Sequence, residues 1–121
     1  MARGHLYIHR IHSVSESIAG FNWDEGNLSK CRRHGVTIDE IEAAFRGVMR
    51  LLPDAAHSVA GTRYLAIGRS ISGRHLLISI TYRQIDKRRF VRPISARFMH
   101  AKEVGFYEEQ IQTPETSSPE E

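Results

Sequence analysis

Cysteine is almost missing from this chain. With Cys31 alone among 121 residues, no disulfide can form within it, and a reducing compartment, the cytoplasm, is expected. Long apolar runs are missing too: nothing approaches the roughly 18 consecutive apolar residues that cross a bilayer as a helix, so no membrane partner is expected. The first 20 residues, MARGHLYIHRIHSVSESIAG, lack the continuous apolar stretch of a signal peptide and read as a leader strand or loose arm. Lysine is scarce, with Lys30, Lys87 and Lys102 against 14 arginines. Acid is scarce before Tyr107, where nine acidic residues face all 17 basic ones for a net charge of +8, while Glu108, Glu109, Glu115, Glu120 and Glu121 follow it. A basic domain that prefers arginine suits bidentate phosphate contacts, which makes nucleic acid the expected partner class. The plainer alternative is a solvated basic surface.

What is present fits one domain, expected over residues 21–111, with the acidic, proline-bearing tail of residues 112–121 disordered. Phe21 and Trp23 flank Asn22 as a short strand, and Asp24 caps a helix to about Arg33, closed by Gly35. Thr37 and Glu40 have capping-box spacing, and Ile38, Ile41, Phe45, Val48, Met49 and Leu52 recur at helical intervals, predicting a second helix that Pro53 ends. Asp54–Gly61 reads as a loop. Beyond it the period changes to two: Thr62–Ser70, His75–Arg83 and Phe90–Met99 predict three antiparallel strands joined by tight turns, with Pro93 marking an edge or bulged strand. A last helix follows over His100–Ile111. The expected class is α+β: a small antiparallel sheet with two helices in the N-terminal half and one at the C-terminal end.

The stretch KCRRHGV, Lys30 to Val36, supports three readings. Cys31 and His34 supply two zinc ligands, with His57 or His75 needed from elsewhere, and no second ligand pair is present in the sequence. Cys31 with His34 as its base would make a nucleophile. As a seam between two helices, Arg32, Arg33 and His34 meet the negative end of a helix dipole, and this reading accounts for the local sequence best.

Three blocks, FNWDEGNLSKCRRHGVTIDEIEAAF, RYLAIGRSISGRHLLISITYR and RPISARFMHAKEVGFYEE, together resemble the BrnT family of bacterial toxins from type II toxin–antitoxin systems. That resemblance implies a RelE-like fold and metal-independent RNA cleavage without a cofactor. It also implies a BrnA-like antitoxin whose ribbon-helix-helix part binds operator DNA, so that the toxin reaches DNA only through its partner. Many family members carry a lysine shortly after WDE, where this chain has Gly26 and Asn27 and a lysine only at Lys30. The general base is therefore open.

Metal-free RNA cleavage needs a base for the 2′-hydroxyl, positive charge on the phosphate and an acid for the leaving 5′-oxygen. Arg63 and Arg97 are the candidate phosphate clamps, which requires them to converge on one spot; the alternative is that they are buried partners of the carboxylates Asp24, Glu25 or Glu103. His34 is the first candidate proton carrier, followed by Lys30 and Tyr107. Arg92, Ser95 and Arg69, with the loop cluster Lys87, Arg88 and Arg89, are candidate RNA contacts. A non-catalytic nucleic-acid-binding or regulatory relative of such a toxin, and a metal-dependent hydrolase using Cys31 and His34, are the readings from other classes.

Overall fold

Two capping boxes set the helical layer. The Asp24 side chain accepts from the Asn27 amide while the Asn27 side chain accepts from the Asp24 amide, which starts α1 (Glu25–Arg32). Thr37 and Glu40 do the same for α2 (Ile38–Phe45). Between them Gly35 takes φ +87, a left-handed conformation that suits a residue without Cβ. These features belong to a computed structural model that describes residues 9–11, 18–54 and 63–112. The acidic tail from Thr113, residues 1–8 and 12–17 of the arm, and residues 55–62 of the expected loop lie outside the described residues.

The strands are β1 (His9–Ile11), β2 (Gly20–Phe21), β3 (Met49–Pro53), β4 (Tyr64–Arg69), β5 (His75–Ile85) and β6 (Arg88–Phe98), and α3 (Ala101–Gln112) follows. They form one sheet in the order β1-β3-β4-β5-β6-β2, antiparallel except that β2 runs parallel to β6. The class is thus α+β, with a mixed sheet larger than the meander expected from the sequence. The sheet also reaches back before residue 21, because β1 pairs with β3.

The second helix is shorter than its sequence pattern. It ends at Phe45, where the Arg46 and Gly47 amides bond to Ala43 and Ala44 and tighten the final turn. Residues 49–53 then join the sheet. Met49 and Leu52, three apart, would share a helical face; in a strand they take opposite faces and serve different cores. Val48, the remaining member of the expected stripe, is 56% exposed.

Side-chain alternation gives the sheet two unlike faces. On one, α1 and α2 cover Ala66, Leu76, Ile78, Ile80 and Val91 with Cys31, Val36, Ile41 and Phe45. Each large aliphatic side chain buried there contributes about 1.5–3 kcal/mol. On the other, α3 lays Tyr107 against Leu52 and Ile67, with Leu65, Leu77, Met99 and Ile111 packed around them. This second cluster is small, so α3 leaves part of its face uncovered.

Asp86 and Lys87 turn β5 into β6 with φ of 54° and 66°, the two positive values of a tight hairpin turn. Further along, Ser79 pairs with Ser95 but Ile80 pairs with Pro93, so Ile94 is an extra residue and the strand is bulged. Asn27, 4% exposed, fastens this irregular edge: its Nδ2 donates to the Pro93 carbonyl (2.7 Å) and the Asn22 carbonyl (3.0 Å).

Replacing Asn27 with alanine removes both donors and half of the capping box, and is expected to cost about 3 kcal/mol. Chemical denaturation measures this, and a change below about 0.5 kcal/mol, the size usual for a bland surface position, would contradict the fastening role.

Candidate active site

The β5–β6 register decides which side chains meet on the α3 face. Leu77 stands opposite Arg97, Ser79 opposite Ser95, Thr81 opposite Arg92, Arg83 opposite Phe90 and Ile85 opposite Arg88. Their alternating neighbours Leu76, Ile78, Ile80, Val91 and Ala96 are buried on the helical side. Arg69, opposite His75, and Arg50, opposite Ile67, also belong to the α3 face. Arginines therefore collect on one surface of the sheet although they are scattered along the chain.

A cavity of about 320 Å³ opens on this face, lined by His34, Asp54, Arg63, Leu65, Leu77, Ser79, Ser95, Ala96 and Arg97. That volume lies at the lower end of small-ligand sites. The α1–α2 corner supplies His34, the end of β3 supplies Asp54 and the start of β4 supplies Arg63. Those last two are tied by the Asp54 amide, which donates to the Arg63 carbonyl at 2.9 Å. Four residues singled out from sequence, His34, Arg63, Ser95 and Arg97, thus meet in one place from positions 63 residues apart at the extremes.

Arg97 is held in a fixed plane. Its Nη1 and Nη2 donate to the two carboxylate oxygens of Glu103 at 2.8 and 2.7 Å, and Glu103 also accepts from the His100 amide at 2.8 Å in the first turn of α3. The guanidinium and that amide hold the Glu103 carboxyl down to about 2, well below its ordinary 4.5, and the carboxylate in turn raises Arg97. Both side chains are about a third exposed (34% each), and of the two Arg97 lines the cavity.

Residues 23–103 match the family described as ribonuclease toxin, BrnT, of type II toxin-antitoxin system. The chain belongs to the BrnT family. No curated protein matches it. BrnT membership brings a ribonuclease activity, an RNA substrate and an antitoxin partner. The matched span contains every residue that lines the cavity, and Glu103, which clamps Arg97. Among the described residues, no helix is long and apolar enough to cross a membrane.

The remaining candidates of this BrnT chain fall elsewhere. Tyr107 is buried in the α3 cluster, edge-on to His75 with ring centres 5.8 Å apart, and burial raises its phenol; it does not line the cavity. Lys30 is exposed on α1 and is likewise absent from the cavity wall. Arg92 shares the arginine face but bonds to Asp24 (3.0 Å) and to the Asn22 side chain (2.9 Å), which makes it a brace between β6 and the α1 cap. Arg69 lies across α3 at 3.5 Å from Glu108. The cluster Lys87, Arg88 and Arg89 divides: Lys87 occupies the turn, Arg88 points along the arginine face towards Phe90, and Arg89 stacks on Tyr82 on the other face at 3.8 Å.

Cys31 is fully buried in the core, and burial pushes its thiol up to about 11, so it is not the thiolate that a nucleophile requires. Among the described residues, no three His, Cys, Asp or Glu gather as metal ligands, and His57 lies outside them. Asn27 sits under the β6 edge and not in the cavity, so its identity bears on the fold. Sequence reasoning missed Asp54 and Ser79 as cavity residues. Asp54 follows Pro53 at the start of the expected loop, and Ser79 joins the cavity through its pairing with Ser95, which no local pattern records.

The depressed carboxyl of Glu103 gives a pH prediction with a definite sign. Its contribution is complete above pH 4.5 and is lost as pH falls towards about 2. Denaturation of the parent and of Glu103→Gln across that window should show the parent losing more stability than the variant, by a modest amount because the pair is solvent-screened; parallel profiles would contradict the clamp.

Proposed function

We propose that the cavity is the active site of a metal-independent RNA endonuclease with a RelE-like fold, acting in the cytoplasm and arresting growth unless an antitoxin is bound. The observation that carries the reading is the meeting of His34, Arg63, Ser95 and Arg97 in one cavity on the arginine face. RNA carries its own nucleophile, so the protein must orient the 2′-hydroxyl, stabilise charge on the phosphorane and manage two protons. Arg63 and Arg97 approach from opposite sides of β5, with the hydroxyls of Ser79 and Ser95 between them, a set of donors suited to the non-bridging oxygens. A guanidinium held in plane by Glu103 needs no reorganisation as that charge grows.

His34 is the proton carrier that this arrangement favours, since it alone of the three candidates lines the cavity and an imidazole has one nitrogen to accept a proton and another to donate one. Tyr107 and Lys30 act, on this reading, outside the chemical step. The antitoxin partner is BrnA-like: an acidic or apolar segment covers the arginine face, and a ribbon-helix-helix part carries the complex to operator DNA.

Purified protein incubated with RNA in chelator is expected to cleave. Arg63→Ala and Arg97→Ala should each slow cleavage by about 10²–10³-fold, with Arg97→Lys recovering little because a single ammonium cannot reproduce the planar fork. Cleavage that appears only on adding a divalent metal, or an Arg97→Ala variant as fast as the parent, would overturn the proposal. Expression without a partner should arrest growth, and Arg97→Ala should relieve the arrest.

A further inference from the structure

The outer half of the β5–β6 hairpin carries a second feature on the arginine face, away from the cavity. Among the described residues, β4 pairs with β5 only as far as Tyr64 opposite Ile80, so Thr81–Ile85 and their β6 partners run on without β4 alongside. On the cavity side of this extension lie Arg83 and Arg88, both exposed, and between them the ring of Phe90.

Phe90 is unusual in its surroundings. It is half-buried, yet it belongs to neither apolar cluster of the described residues. Its ring backs onto Gly20, where an added Cβ would lie 3.5 Å from the ring edge, and the Arg88 guanidinium stands 5.9 Å from the ring centre. An aromatic supported from behind and flanked by arginines on an exposed ribbon has the construction of a stacking platform for an unpaired base.

Five positions separate Phe90 from Ser95, one of them the bulged Ile94, so at about 3.3 Å per residue the platform stands about 15 Å from the cavity. A single strand leaving the cavity spans that distance in a few nucleotides. The intervening Arg92 is engaged by Asp24, which leaves Arg83 and Arg88 as the phosphate contacts at the far end.

We propose that the hairpin arm is a subsite for single-stranded RNA, in which Phe90 stacks on a base and Arg83 and Arg88 hold the flanking phosphates. It rests on the ribonuclease reading for its place in catalysis but is separable from it, because binding is measured without cleavage. Affinity then depends on strand length: an oligonucleotide that fills only the cavity binds weakly, and one long enough to reach the arm binds more tightly.

The test uses the full chain and non-cleavable 2′-O-methyl oligouridines of increasing length, read by fluorescence anisotropy, with a companion series carrying one 2-aminopurine to report stacking. The parent should show a step in affinity with length and quenching of the 2-aminopurine at one position. Phe90→Leu, which keeps an apolar side chain against Gly20, should abolish that quenching and weaken long oligonucleotides by roughly 5- to 100-fold. Arg83→Gln and Arg88→Gln, exposed changes that do not threaten folding, should each lower the salt slope of binding by about 0.7.

Affinity without a length step, or unaltered RNA binding by all three variants, overturns the subsite; loss of antitoxin binding alone would then assign the arm to the protein partner. Length-dependent binding by a parent that never cleaves RNA would instead retain the subsite and remove the nuclease reading.

Discussion

The extra residue at Ile94 is the constraint on which the arginine face depends. Strand side chains alternate, so a one-residue shift exchanges the faces. Arg97 and Ser95 are odd-numbered, while Arg92, Phe90 and Arg88 are even-numbered; only the bulge between the two sets keeps all five on one surface. Pro93 has no amide hydrogen to give to the ladder, and its carbonyl is taken by Asn27, so the irregularity is fastened from the helical layer. The helix cap, the strand edge and the arginine face are thus one connected piece of structure.

That connection sorts the arginines by what they can do. Arg92 braces β6 to the Asp24 cap, Arg74 lies over Phe98 at 3.7 Å and Arg89 over Tyr82 at 3.8 Å. These three support the scaffold. Arg63 and Arg97 line a cavity, and the latter is oriented by a carboxylate on the first turn of α3. A basic composition is therefore a mixture of roles, and the net charge of the chain measures none of them separately. The helix that covers the second apolar cluster also supplies the clamp, so the packing of Tyr107 and the orientation of Arg97 both depend on where α3 docks.

Local signals are legible in the sequence where one physical rule acts alone. The capping box at Thr37 and Glu40, the helix-closing Gly35 and the alternation of His75–Arg83 all appear as expected. The second helix stops short of its pattern because Met49 and Leu52 satisfy a helical period by number, while the pairing of β3 with β4, a long-range term, decides their state. Pro93 announced a bulge, but not its consequence for which arginines share a face. His34, Arg63, Ser95 and Arg97 could be named from residue chemistry and family resemblance. That Asp54 and Ser79 join them, and that Tyr107 does not, follows from register and from the docking of α3, neither of which a linear pattern records.

On the proposed mechanism Arg63 and Arg97 grip the same phosphate. Titrating arginine-labelled protein with a short 2′-O-methyl RNA, and following the guanidinium Nε–H resonances by NMR, tests it most directly. The account predicts that the Arg63 and Arg97 signals shift together and saturate at one RNA equivalent, while Arg46 at the end of α2 on the opposite layer stays unmoved. Shifts confined to Arg46 and the α1–α2 surface, with Arg63 and Arg97 unchanged at saturation, would contradict it.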